Sequence, residues 1–168
     1  MPKIIENLEM KLMEEAKKQL EQFGYGALTI RSVAQACGVG VGTVYNYFSS
    51  KDELLAAYLL GDWKDCIGTI DAVSSRAESP APVVQCMFDQ LLAYARRHQA
   101  VFGDETAAQG FAGSFSRYHG LLRAQLAAPL RKFCRDDFTA EFVAESVLTW
   151  SMAGKSFDDI FGMINKLF

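Results

Sequence analysis

Apolar residues recur three and four positions apart along almost the whole chain, and nowhere do they alternate with polar ones for long. That period belongs to helices with one buried face, so the spacing predicts an all-α protein. Ile5, Leu8, Leu12, Ala16, Leu20 and Phe23 form a first stripe, and Gly24 stands where that helix should stop. "TIRSVAQA" begins on Thr29, a good N-cap, and turns Ile30, Val33 and Ala34 inward. Ser50 with Glu53 three residues on is a capping box, and it opens a long striped helix from about 50 to 73.

Residues 74–82, "SSRAESPAP", are polar with two prolines and read as a connector. Val84, Met87, Phe88, Leu91, Leu92 and Ala95 define the next inward face. Gly103, Gly110 and Gly113 break up 99–114 into short helices or a loop. Phe115, Tyr118, Leu122, Leu126, Leu130 and Phe133 form another stripe, which Pro129 should kink or split. Thr139 is the expected cap of "AEFVAESVLTWSMAG", and "SFDDIFGMINKLF" follows as a final helical segment.

"ACGVGVGTVYNYF", residues 36–48, allows two kinds of chemistry. A glycine-rich phosphate loop needs a preceding strand, or a Gly-Lys-Ser/Thr run. Here a helical pattern precedes the glycines, and Gly42 is followed directly by Thr43. A helix-turn-helix needs a small residue at the helix crossing, a glycine in the turn and an apolar residue closing the core. Ala34, Gly38 and Val44 fill those places at the proper spacing, with Gly40 as N-cap of the second helix. Val33, Cys37, Val39 and Tyr47 are expected inward, and Thr43, Tyr45 and Asn46 outward. A small-residue turn between two core helices, with no ligand, has the same spacing. The cluster "TVYNYFSSKDEL" favours a binding surface over that alternative.

Composition adds limits. Over 168 residues the net charge is −3, so no overall basic charge announces nucleic acid. Residues 1–51 hold six Lys and Arg against five Glu, +1, which leaves −4 for the remainder. No apolar run has the length of a membrane span, and the charged N-terminal stretch is not a signal peptide. Cys37, Cys66, Cys86 and Cys134 lie far apart without a CxxC pair, which points to reduced thiols and a cytoplasmic protein. His98 and His119 lack carboxylates at ligand spacing, so no metal is expected. "GSFSRYHG" is not a nucleophile elbow, so no catalytic residue, enzyme activity or cofactor is expected.

Residues 24–55, "GYGALTIRSVAQACGVGVGTVYNYFSSKDELL", resemble the DNA-binding domain of the TetR (tetracycline repressor) family of bacterial transcriptional regulators. Gly24-Tyr25, Thr29, Ala34, Gly38-Val39, Gly42-Thr43, Tyr45, Tyr47-Phe48, Lys51 and Leu54 carry the resemblance. It implies a three-helix DNA-binding domain at 1–52 and an effector-binding and dimerisation bundle at 53–168. Val41, Gly42 and Thr43 would then face base edges in the major groove. Tyr45, Tyr47 and Lys51 would reach phosphates of double-stranded DNA, and Thr29 and Arg31 would flank the groove. Each has a plainer alternative: Tyr47 as core, Arg31 as solvated surface, Lys51 as decoration of a helix start.

The resemblance also implies a repressor released from a palindromic operator by a small effector. Trp63, Phe88, Phe102, Phe111, Phe115 and Tyr118 make the middle helices aromatic and are candidate lining for an apolar or aromatic ligand. Aromatic residues at helical spacing are more often core. The last two helical segments are apolar on more than one face, and such helices need two burial partners. Phe142, Val143, Val147, Trp150, Phe157, Ile160, Phe161 and Ile164 are accordingly assigned to a homodimer interface. The alternative of another class is a small helical nucleotide- or phosphate-binding module using the Gly38–Gly42 loop. A regulator without an effector site is a third option.

Overall fold

The computed structural model describes residues 7–168, with side chains included except at 108–118. Every regular element among them is helical: α1 (Leu8–Phe23), α2 (Ile30–Ala36), α3 (Val41–Tyr45), α4 (Lys51–Arg76), α5 (Pro80–Arg97), α6 (Gln99–Phe102), α7 (Glu105–Ala127), α8 (Asp137–Met152) and α9 (Phe157–Ile164). Short 3-10 turns at Ala128–Phe133 and Asn165–Leu167 follow α7 and α9. The protein is all-α, with an N-terminal helix-turn-helix domain followed by a C-terminal helical bundle. Among the described residues no helix is long and apolar enough to cross a membrane.

The helices gather into two compact units. The first runs up to Gly61 and takes in His98–Ala112; the second comprises Asp62–Arg97 and Gly113–Phe168. In the first, Leu12, Ala16, Leu28, Val33, Val44, Leu54 and Leu55 are fully buried. Ala107 and Val101, from α7 and α6, join the same core, which no local signal in the sequence announces. In the second, Ile70, Val83, Val84, Met87, Leu126, Leu130, Val143, Ala144 and Val147 close a core built largely on the packing of α5 against α8.

Local chemistry explains most helix ends, and several differ from expectation. Leu8, Leu12, Ala16 and Leu20 are buried as predicted, but Phe23 is exposed at the end of α1, and Ile5 lies outside the described residues. The Ser50 hydroxyl accepts from Glu53 N at 3.1 Å, while the Glu53 carboxylate reaches past it to Ser49 N at 2.6 Å. The 74–82 connector shrinks to Ala77–Ser79. α4 runs on to Arg76, where the Lys132 ammonium donates to Ala77 O at 3.0 Å, and α5 starts on Pro80, whose fixed φ suits a first turn.

From Glu105 one continuous helix replaces the expected breaks, since isolated glycines weaken a helix without ending it. It stops at Ala127, and Pro129 sits in the 3-10 turn, as the expected split requires. Asp136, not Thr139, caps α8: its carboxylate accepts from Thr139 N at 2.7 Å. All four cysteines are free thiols, and burial together with nearby Cys86 pushes the Cys66 thiol up to about 11.

Gly38 has φ +68 with open space around the missing Cβ. An alanine there meets no neighbour, so its cost is purely conformational. Gly38→Ala should destabilise the protein by about 1–2 kcal/mol, seen as a drop of several degrees in Tm.

Candidate nucleic-acid interface

The turn between α2 and α3 is a Schellman ending. Val39 N donates back to Ala34 O at 3.0 Å and Gly38 N to Gln35 O at 3.1 Å, with the left-handed residue at Gly38. Gly40 then adopts extended backbone as N-cap, and its carbonyl accepts from Thr43 N at 2.9 Å. A helix, not a strand, therefore leads into the glycines, and the phosphate-loop alternative loses the context it needs.

α3 is five residues long, too short to persist alone in water. It is held from beneath. Val44 is fully buried and Phe48 nearly so, and Tyr47 N and Phe48 N both return to Val44 O, at 2.9 and 3.0 Å. With those anchors turned inward, the rest of the segment faces out. Tyr45 is 54% exposed and Tyr47 45%, so Tyr47 does not fill the inward slot the spacing suggested. Val41 and Thr43 are half-buried, and Gly42 is exposed with nothing within 4 Å of a Cβ placed there. Arg31 is exposed in the first turn of α2.

Thr29 does local work. Its hydroxyl accepts from Ser32 N at 3.0 Å, and Ser32 Oγ accepts from Thr29 N at 3.1 Å, a reciprocal capping box. Ser32 Oγ also donates to Gln19 Oε1 at 2.6 Å, and Gln19 Nε2 to Glu15 Oε1 at 2.8 Å, which ties α2 to α1. The role of Ser32 was legible as a cap partner three residues after Thr29; its bond to Gln19 was not.

Lys51, the first residue of α4, has a specific partner. Its ammonium lies 3.8 Å from the centre of the Tyr25 ring and donates to Tyr25 O at 3.1 Å. The Tyr25 hydroxyl donates to Asp52 Oδ1 at 2.6 Å, and the side chain is only 4% exposed. Burial first, then the bond to Asp52 and the charges of Asp52 and Asp104, push the Tyr25 phenol up to about 12.

The other candidate residues are dispersed. Trp63 and Phe88 are buried in the core of the second unit. Trp63 Nε1 donates to Gln125 Oε1 at 2.7 Å and the ring stands edge-on to Tyr94, while Phe88 stands edge-on to Phe157. Phe102 belongs to the first unit, exposed and edge-on to His98. The side chains of Phe111, Phe115 and Tyr118 lie outside the described residues. Two open grooves, one beside Asn7–Met13 and Tyr47 and one between Lys11–Lys18 and Cys37, do not border Trp63 or Phe88.

On the last two helices Val143, Val147, Ile160 and Ile164 point into their own unit's core. Phe157 and Phe161 are half-buried and stacked at 5.2 Å. Phe142 and Trp150 face outward, and with them Phe138, 75% exposed, and Met163, 78% exposed, neither of which the spacing marked out. Phe138 was findable: it lies one helical turn before Phe142.

Residues 12–58 match the family model for bacterial regulatory proteins of the tetR family. A 66-residue stretch is 36% identical to an HTH-type transcriptional regulator of Mycobacterium tuberculosis, covering 39% of this chain and 28% of that protein. A 43-residue stretch is 46% identical to an uncharacterized HTH-type transcriptional regulator of Bacillus subtilis, covering 26% of this chain and 22% of that protein. The alignments thus span between a fifth and a third of those relatives' lengths. Among solved structures, a transcriptional regulator of Streptomyces coelicolor superimposes with a TM-score of 0.71 at 12% identity, over 94% of this chain and 96% of that one. The TetR family repressor AlkX of a Dietzia strain superimposes with a TM-score of 0.66 at 16% identity, over 93% of each chain. These two likenesses are of fold.

The raised Tyr25 pKa has a stability consequence. The folded state keeps the phenolic proton more tightly than the unfolded chain, so the associated stabilisation is complete below about pH 10. It should be lost as pH climbs through about 12. Denaturant unfolding of the wild type between pH 9 and 12 should show this decline, and Tyr25→Phe should lack that part of it.

Proposed function

We propose that the chain, whose residues 12–58 match the model of bacterial regulatory proteins of the tetR family, is a homodimeric repressor of that family, released from a palindromic operator by a small effector. One observation carries the reading: α3 presents Gly42, Tyr45 and Tyr47 to solvent while Val44 and Phe48 anchor it below. A helix so short and so exposed has no packing purpose of its own. Val41, Gly42 and Thr43 face base edges. Val41 offers a methyl contact to thymine in place of a hydrogen bond. The hydroxyls of Tyr45 and Tyr47 and the ammonium of Lys51 take phosphates, and Arg31 flanks the groove. Thr29 acts through its cap, which sets where α2 begins and so where Arg31 stands.

The dimer forms on the outward side of α8 and α9. Phe142 and Trp150 make the contact together with Phe138 and Met163, while Val143, Val147, Ile160 and Ile164 keep the presenting helices packed. Two-fold pairing supplies two reading heads and hence a palindromic site. The effector is apolar or aromatic and enters beside Trp63 and Phe88. Both are packed, so a ligand there has to part the Trp63–Tyr94 contact, and it acts by favouring the rearranged state. α4 contributes residues to both units and is the element through which that change is passed on.

Selection of bound duplexes from a random pool tests the reading directly. A palindromic consensus is expected, and no enrichment overturns it. On the selected duplex, Gly42→Ala should leave Tm unchanged or raised yet weaken binding about tenfold, because the added methyl enters only the space the groove needs. Arg31→Ala should lower the salt slope by about one per bound head. Trp150→Glu should convert the dimer to a monomer in light scattering with helix content retained, since the indole is outward in the single chain.

A further inference from the structure

Building on the DNA-binding reading, we infer that Tyr25 is a positioning residue for phosphate recognition. Its ring and carbonyl hold the Lys51 ammonium in place before DNA arrives, while its hydroxyl donates to Asp52. Lys51 and Asp52 are adjacent in the first turn of α4, and both reach Tyr25. The cation lies over the ring face, 3.8 Å from its centre, and donates to the carbonyl at 3.1 Å. The anion accepts from the phenolic O–H at 2.6 Å, at the far end of the same side chain.

An ammonium has three N–H donors. The Tyr25 carbonyl takes one and the ring attracts the charge without consuming a lone-pair partner, so donors remain for a phosphate oxygen. A free lysine must surrender the rotamer freedom of four carbon–carbon torsions when it grips a phosphate, and a lysine already held has less to surrender. Tyr25 can serve as this anchor because it is itself immobile: it is buried in the α1–α2 loop, part of the same core as Leu28, Leu54 and Leu55. The arrangement also fixes the loop to the start of α4, so the two ends of the helix-turn-helix share one rigid support.

The test compares Tyr25→Leu, Tyr25→Phe, Lys51→Gln and the Tyr25→Leu/Lys51→Gln double variant, binding to the selected duplex across a range of salt, with unfolding followed in parallel. Tyr25→Leu should weaken binding about tenfold and lower the salt slope by about one per head, as Lys51→Gln does. Tyr25→Phe keeps the ring and should keep the slope, with binding within about threefold of wild type. In the double variant the leucine should add nothing to the loss from Lys51→Gln. A wild-type slope in folded Tyr25→Leu, or additive losses in the double variant, overturns the inference.

Should Tyr25→Leu fail to fold, proton NMR of the free wild-type protein decides. The Lys51 ε-methylene should be shifted upfield by the Tyr25 ring current, and ordinary shifts there overturn the inference. Failure of the wild type to select any duplex would instead overturn the DNA-binding reading itself.

Discussion

Five residues of helix cannot hold themselves in water, because the cost of fixing the first turn exceeds what one or two hydrogen bonds return. The exposed face of the α2–turn–α3 segment follows from how α3 escapes that constraint. Val44 beneath it and Phe48 just beyond it are buried in the core of the first unit, and their burial supplies what the helix lacks. Because two apolar anchors suffice, the remaining positions need not pack. Gly42, Tyr45, Asn46 and Tyr47 stay outside, and Val41 and Thr43 stay half-covered. A longer helix would be more stable alone but would bring more apolar surface to hide. The Schellman turn at Gly38 completes the device by satisfying the end of α2 within its own backbone.

The same economy governs the supports. The Thr29–Ser32 cap and the Ser32–Gln19 bond fix α2 on α1, and the Tyr25–Lys51 and Tyr25–Asp52 contacts fix the intervening loop on α4. None of these links is strong by itself. Together they leave the α2–turn–α3 segment few ways to move without breaking several contacts at once, as the proposed match to a rigid duplex requires.

The second unit solves a different problem. α5 packs against α8 to close an apolar core, with the Ser74 hydroxyl donating to Pro129 O at 2.7 Å. α8 then carries apolar residues on its outer side too, Phe138, Phe142 and Trp150, and α9 adds Met163. One side of these helices is already covered, and the other is large and aromatic. This is the surface we assign to the second copy of the chain.

Helical class, the order of the N-terminal elements and the turn chemistry were determined by the sequence itself, because they depend on local rules: a 3.6-residue period, Thr29 as cap, and Gly38 as the residue able to take φ +68. Pro129 likewise marked the end of α7. Other choices were made only in three dimensions. Glycines at 110 and 113 looked like breaks, yet one helix runs through them, since an isolated glycine costs a helix little. Asp136 took the cap from Thr139 because either residue type suits the position and backbone geometry selects one. Tyr47 went outward because Phe48, its neighbour, claimed the core. Periodicity marks which residues are apolar, but not whether an apolar residue meets its own core or an outer face. So Val143 and Trp150 read alike along the chain and part company only in the fold. Tyr25 and Lys51, 26 positions apart, meet through a contact no spacing rule encodes.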